Sequence, residues 1–385
     1  MQYTAHYSPF SAENAQTDIA AWQTLLPNSL EAFSYHLAFA QANIKGFKTA
    51  YITIFESEKS DPEKIVPEKI VLVAPIFVMD YALDTTMQGK LKAFTTRLRG
   101  LFPKLMNLRL LCVGSAVTDS AQIGFSKINA EIMQTLHQKL EEVAELEHAS
   151  VIAFKDVTEA DLAELKAPLQ NLGFSVVDNM PVAKNNINFN NLDDYLASLS
   201  YSTRKGLRRK MKSFAQLRIE EHKGMPPKMA EIYQLYLNCY EKSELKFEKL
   251  TQQFFEQLAQ LMPNNCRFVL YYFSEKNEEK LIGFNCLLYK DGLLMDKYIG
   301  LDYAKSHELN LYSLSWIHNI QMCIRDGFHT FQSGQAAYET KLSLGASLEQ
   351  TYIVFRHRNR FINPILKLAS RVLAYENFDA SVKKA

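Results

Sequence analysis

The sequence predicts an α/β (α+β) protein of two tandem domains, each a mixed, mostly antiparallel sheet flanked by helices. Three observations lead there. At 385 residues the chain is too long for one ordinary core and suits about two domains. Both halves alternate segments of helical period with short β-rich runs. In the second half, three strand patterns follow one another across charged turns, which reads as an antiparallel meander. The expected division is 1–191 for the first domain and 192–385 for the second.

Taken in order, the chain opens with helical signals. Asn28-Ser29-Leu30-Glu31 is a capped start, and an apolar stripe runs on to Ala42. Thr49–Glu56 and Lys69–Asp80 read as strands around a charged, proline-containing loop, residues 57–68. Lys90–Phe102 is basic and helical in period, and Leu108–Val113 is a short strand. Ile128–His148 is amphipathic, with Ile132, Leu136, Leu140 and Val143 near one side. Ser150–Phe154 is a strand, Glu159–Leu172 a helix closed by Gly173, and Phe174–Ala183 one further strand.

Leu192–Leu199 leads into a basic stretch, and helices follow over Pro227–Tyr240 and Thr251–Leu261. The meander is Arg267–Phe273, Leu281–Tyr289 and Leu293–Gly300. Leu311–Asp326 is a helix stopped by Gly327, Phe328–Phe331 a strand, Tyr338–Leu344 a helix stopped by Gly345, and Thr351–Phe355 the last strand. Pro364–Tyr375 is a basic amphipathic helix, with a frayed tail after Phe378. The two halves share an order of elements without a residue-level repeat.

Hydrophobic residues make up 47% of the chain, enough for a core in each domain. The formal charge of +1 argues against general affinity for nucleic acid, DNA included, or an anionic membrane, which needs a field from the whole surface. Any polyanion contact is therefore local. Cys112, Cys239, Cys266, Cys286 and Cys323 are odd in number and scattered, which suits reduced core residues rather than a disulfide framework or a metal knuckle. No leader pattern opens the chain and no apolar run has the length of a membrane span, so a cytoplasmic protein is expected. No His or carboxylate spacing suggests a metal or a hydrolase triad.

Ser200–Phe214 carries Arg204, Lys205, Arg208, Arg209, Lys210 and Lys212 with no acidic residue. As a helix it sets Arg204, Lys205, Arg208, Arg209 and Lys212 on one broad face and Leu207, Met211 and Phe214 on the other. Two readings stand: a solvated face, or a clamp for an anionic group, helped by amides at the hydroxyl-capped N-terminus. His307 and His318 are isolated and read as structural.

The order of the second half, an antiparallel trio followed by helix and strand, resembles the GNAT acyltransferase fold. Gln332-Ser333-Gly334-Gln335 followed by Tyr338-Glu339-Thr340-Lys341-Leu342-Ser343-Leu344-Gly345 resembles the terminal pattern of Fem-type aminoacyltransferases, and Leu192–Lys212 resembles the entry to their second domain. The resemblance implies an N-acyltransferase acting at an inter-domain cleft. It makes Lys341 the cation that stabilises a tetrahedral oxyanion, with Gln332, Gly334 and Tyr338 at the substrate, against the reading of Lys341 as a surface lysine in a last helical turn.

The resemblance implies that the strand that splays to admit the donor is Leu293–Gly300. There Asp296 and Tyr298 are expected on one face as proton acceptor and donor, unless Tyr298 is simply a satisfied interior aromatic. The glycine loop that cradles coenzyme A in ordinary GNAT domains is replaced by Asp302-Tyr303-Ala304-Lys305-Ser306-His307-Glu308-Leu309-Asn310.

Three readings follow. The first is transfer from a thioester co-substrate, acyl-CoA or acyl carrier protein, to the amine of a small molecule or peptide. The second is aminoacyl-tRNA-dependent amide formation. The third is a non-catalytic module binding an anionic ligand. None calls for a metal.

Overall fold

The computed structural model describes residues 2–11, 13, 15–57, 69–82, 107–243, 246–275 and 278–372. The expected loop at 57–68 (apart from Ser57, which ends a strand), the basic helix at 90–102 and the frayed tail lie outside these. The chain forms two compact units. Of the described residues, one uses those up to Met180 (save 41–43) and those from Gln350 to Val372; the other uses Pro181–Glu349 with residues 41–43.

In the first unit, β1 (Gln2–Ser8), α1 (Ala15–Leu25), α2 (Phe33–Gln41), β2 (Phe47–Ser57), β3 (Lys69–Ala82), β4 (Asn107–Val113) and the short β5 (Gly124–Phe125) precede α3 (Ala130–Leu146), β6 (Val151–Thr158), α4 (Glu159–Asn171) and β7 (Ser175–Asp178). The helix starts are set by side-chain caps: Asn129 accepts from the Ile132 amide at 2.8 Å, and Thr158 from that of Asp161 at 3.1 Å. The stripe Ile132, Met133, Leu136, Leu140 and Val143 is buried in the core against the sheet, as its period predicts. β1 has no counterpart in the sequence reading. Its Tyr-Thr-Ala-His-Tyr run is long enough to pair with β2 over its whole length.

The second unit follows as β8 (Val182–Asn186), α5 (Leu192–Ser198), α6 (Tyr201–Lys210), a 3₁₀ turn (Met211–Gln216), β9 (Leu217–Lys223), α7 (Met229–Lys242), α8 (Gln252–Leu261), β10 (Cys266–Glu275), β11 (Glu278–Lys290), β12 (Leu293–Leu301), α9 (Tyr303–Leu309), α10 (Leu311–Asp326), β13 (Thr330–Gln332), α11 (Tyr338–Ser343) and β14 (Ser347–Glu349). β15 (Thr351–His357) and α12 (Asn363–Val372) then return to the first unit. The meander β10-β11-β12 pairs antiparallel as expected. The charged β9 joins its edge, where its polar residues stay partly exposed.

The sheets repeat one plan. The first runs β1-β2-β3-β4-β6-β15-β7, with β5 beside β3; the second runs β14-β8-β13-β12-β11-β10-β9. Each has four antiparallel strands, one parallel step (β4 to β6, β12 to β13), an antiparallel strand beyond it, and a short edge. The strand beyond the parallel step comes from a distant part of the chain in both cases. β15 joins the first sheet only after the second unit has been built, and β8 enters the second sheet straight from the first unit.

Two expectations change accordingly. Phe174–Ala183 is not one strand: β7 ends at Asp178, and β8 starts at Val182 in the other sheet. The units divide at 180/181 and 349/350 rather than once at 191/192, because local pattern marks a strand without naming the sheet that accepts it.

Candidate functional site

The site in the second unit is organised by the parting of β12 and β13. They pair in parallel only from Leu293↔Thr330 to Met295↔Gln332. β12 runs on to Leu301 with no strand beside it on that edge among the described residues. Asp296 is the first residue past the last paired position.

A bulge sits at the same place. Cys286 faces Tyr298 while Leu287 faces Asp296, so Lys297 is an extra residue on β12. Adjacent residues of β11 point to opposite faces. The expectation that Asp296 and Tyr298 share a face is therefore corrected: Asp296 turns toward α10, while Tyr298 packs edge-on against Phe254 and Phe255 of α8 at 5.8 and 5.5 Å. Tyr298 is a half-buried aromatic on the far side of the sheet from the carboxylate it was paired with.

The Asp296 carboxylate accepts both its oxygens' hydrogen bonds from Asn285 Nδ2, each at 3.0 Å, and a further one from Asn319 Nδ2 at 3.1 Å. Burial raises its pKa to about 6, against the lowering effects of Asn285, the Lys341 charge and Asn319. Around it, the Asn285 and Asn319 Oδ1 atoms and the Tyr271 hydroxyl are buried with no hydrogen-bond partner. Burial, with the Asp296 charge, also raises the Tyr271 and Tyr312 phenols. Orphaned acceptors and a hydroxyl around a carboxylate are what a polar ligand or an ordered water would satisfy.

The sequence reading did not name Asn285, Asn319, Tyr271 or Tyr312. A signal existed for two of them: Asn285 interrupts the apolar run from Leu281 to Leu288, and Asn319 the apolar stripe of α10.

Lys341 lies in α11 and is 5% exposed, not a surface lysine. Its ammonium donates to the Ser333 carbonyl and to the Gly334 carbonyl at 3.2 Å. Gly334, at φ 74°, makes the turn that presents both carbonyls.

The helix is fixed at both ends. Tyr338 donates its hydroxyl proton to the Pro181 carbonyl at 2.8 Å, which makes it a strut. At the other end the Ala346 amide bonds to the Lys341 carbonyl and the Gly345 amide to that of Leu342, each at 3.0 Å. Gly345 stands at φ 81°, a Schellman closure that explains the Leu-Gly pair. The Leu344 carbonyl then accepts from Tyr195 at 2.8 Å and Asn185 at 3.1 Å. Gln332 is buried at the end of β13, opposite Met295.

The basic helix forms over Tyr201–Lys210, with Leu207 buried, but the expected continuation to Phe214 is a 3₁₀ turn, from which Met211 and Phe214 pack against the core. Its cations differ in what they do. Arg204 donates to the Ala197 and Leu199 carbonyls at 3.2 and 3.4 Å, closing the end of α5. Arg208 reaches the exposed Asp193 at 3.4 Å, a pair of little energetic weight. Lys210 donates to Ser313 Oγ at 2.9 Å, tying this helix to the first turn of α10. Lys205, Arg209 and Lys212 are exposed.

The segment after β12 holds its own anion. Asp302 caps α9, accepting from the Ala304 amide at 3.2 Å and from Lys280 Nζ at 2.6 Å. Burial works against it, but Lys280 and the amides of Ala304 and Lys305 hold its carboxyl below the usual range. An ordinary GNAT domain would put the coenzyme A pyrophosphate at this helix end. Here the Asp302 carboxylate, paired with Lys280, caps that end.

His318 Nε2 is 3.2 Å from Glu221 Oε1, within a network that includes Arg325 and, through Glu221, Arg267. His307 is exposed. Among the described residues no group of three or more His, Cys, Asp or Glu could hold a metal ion.

With this geometry in view, residues 102–371 match the model of the FemAB-like family, described as peptidoglycan biosynthesis/recognition. The chain belongs to that family. It is a GNAT-superfamily acyltransferase of the Fem-like type.

Solved structures agree at the level of fold. FemX aligns with a TM-score of 0.59 at 12% identity, over 95% of this chain and 100% of that one. L-PGS from Bacillus licheniformis gives 0.52 at 10% identity, over 94% and 96%. A tandem GNAT protein from the clavulanic acid biosynthesis pathway gives 0.50 at 10% identity, over 92% and 99%. No curated protein sequence matches the chain. No helix among the described residues is long and apolar enough to cross a membrane.

Proposed function

We propose that this FemAB-like protein forms an amide bond by moving an aminoacyl group from an aminoacyl-tRNA ester to an amine on a peptide precursor of the cell-wall type, in the cytoplasm. The observation that carries the choice of donor is Asp302, whose carboxylate already fills the helix end that a coenzyme A pyrophosphate would need. The family match supports the acceptor class.

In this reading the acceptor arrives as an ammonium and loses a proton to Asp296, whose pKa near 6 suits a base working close to neutrality. The freed amine attacks the ester carbonyl, and a C–N bond forms. The Lys341 ammonium stabilises the tetrahedral oxyanion. The C–O bond then breaks. Of the two protons nitrogen gives up, one ends on the leaving ribose oxygen and the other is released. Asn285 and Asn319 keep Asp296 aimed, and Lys205, Arg208 and Arg209 attract an anionic group of donor or acceptor.

The test offers the full chain a pool of tRNA charged with radiolabelled amino acids, acetyl-CoA or a longer acyl thioester, each with a lysine-containing peptide. Label passing from tRNA to peptide is the expected result. Thioester consumption without transfer from tRNA would overturn the choice of donor. No transfer from any donor, with tRNA or peptide still bound, would make the protein a binding module.

A further inference from the structure

The described hydrophobic residues that stand exposed are few, and they concentrate at the C-terminal end of the first unit. Phe361 is 70% exposed, Ile362 40%, Ile365 67% and Leu368 67%. Ile365 and Leu368 lie one turn apart on α12 (Asn363–Val372), and Phe361 and Ile362 form the turn leading into it. An isolated exposed leucine is ordinary, but four large apolar side chains within eight residues form a patch that calls for a partner.

The helix is held in place from its other side. The His357 amide donates to Asn363 Oδ1 at 2.9 Å, and Asn363 Nδ2 donates to the Gly173 carbonyl at 3.1 Å. Asn363 thus faces the body of the unit, and the apolar stripe faces away.

The segment's own charges are of one sign. From Gln350 to Val372 the chain carries Arg356, Arg358, Arg360, Lys367 and Arg371, and past Gln350 it has no acidic residue before Glu376. Arg356 and Arg358 bond to Glu141, anchoring the base of the segment. On a helical projection the exposed Lys367 lies roughly 100° around the axis from Leu368. The Arg360 guanidinium lies 4.8 Å from the centre of the Phe361 ring, so charge and apolar surface meet at the start of the helix. An apolar stripe with a cationic flank and no acidic residue, in a protein whose net charge is only +1, is a local feature with the pattern of an interfacial helix.

We propose that α12 and the turn before it dock on the surface of a membrane containing anionic phospholipid. Phe361, Ile362, Ile365 and Leu368 enter the headgroup region, and Arg360 and Lys367 lie against the phosphates. The contact attaches the protein to the surface without spanning it. The proposal is independent of the transfer reaction.

The test is co-sedimentation of the full chain with phosphatidylcholine vesicles, pure or containing roughly one-third phosphatidylglycerol. Binding to the anionic vesicles, weakened by salt and reduced at least about tenfold by Ile365→Asp with Leu368→Asp, is expected. Because these side chains are exposed, the double variant should unfold at the wild-type temperature. Arg360→Glu with Lys367→Glu should weaken binding to anionic vesicles alone. No binding to either vesicle, or equal binding to both, would overturn the proposal. So would light scattering that shows a dimer dissociated by the double variant, since the patch would then be covered by a second copy.

Discussion

Replacing Asp296 with asparagine separates a functional carboxylate from a structural one, because stability and turnover should move in opposite directions. Burial raises the acid from the usual 3.8 of an aspartate to about 6. At about 1.4 kcal/mol per tenfold change in proton affinity, keeping the charge at neutral pH costs about 3 kcal/mol of stability. The sign follows from the direction of the shift. The folded state holds this proton more tightly than the unfolded chain, so the contribution is full below about pH 4, declines as pH rises toward 6, and is lost above it.

The substituted asparagine has similar shape and no charge, and its amide can be turned toward the orphaned Asn285 or Asn319 oxygen. Asp296→Asn should therefore unfold at higher temperature than wild type at pH 7, by roughly 6–12 °C at about 2–4 °C per kcal/mol, and should lose most of the advantage at pH 4. Turnover should fall by at least about 10²-fold. The wild-type rate should rise tenfold per pH unit below about 6 and level above it. Calorimetry over pH 4–8, with initial rates of label transfer in the same buffers, reads both. A variant that melts lower at pH 7 and keeps its activity would refute the assignment, since Asp296 would then be a satisfied structural carboxylate.

Other predictions concern the surroundings. Lys341→Ala should reduce turnover by at least about 10²-fold and, by removing the Lys341 donor from the Ser333 carbonyl while Gly334 keeps the Ala183 amide, cost about 1–3 kcal/mol in denaturant unfolding; unchanged turnover would remove Lys341 from the chemistry. Arg208→Glu with Arg209→Glu should raise KM for one substrate severalfold, with a salt dependence that wild type shows and the variant lacks; kinetics equal to wild type would leave this face merely solvated. Gly300→Ala should lower stability by about 1–3 kcal/mol, because a Cβ there would collide with the Phe284 ring and stand 2.7 Å from the Leu235 backbone, and thermal melts would show it.

Much of the protein was determined by the sequence itself. Caps, glycine stops and apolar periods act within a few residues, so α3, the meander β10-β11-β12 and α10 are legible from neighbours alone. The basic face of α6 and the Gly-then-Lys pattern ending at Gly345 are local for the same reason.

What the tertiary structure decided depends on long-range pairing. One extra residue, Lys297, reverses the face of Tyr298 relative to Asp296, and only pairing with β11 reveals it. Asn285 and Asn319 lie far apart in the chain and meet at Asp296 because α10 packs across the sheet. β15 is an ordinary strand by composition and β8, Val-Ala-Lys-Asn-Asn, is not, and neither segment alone names the sheet that it joins. Period and capping are one-dimensional properties of a chain, whereas register, burial and the pKa that burial imposes exist only once distant segments touch.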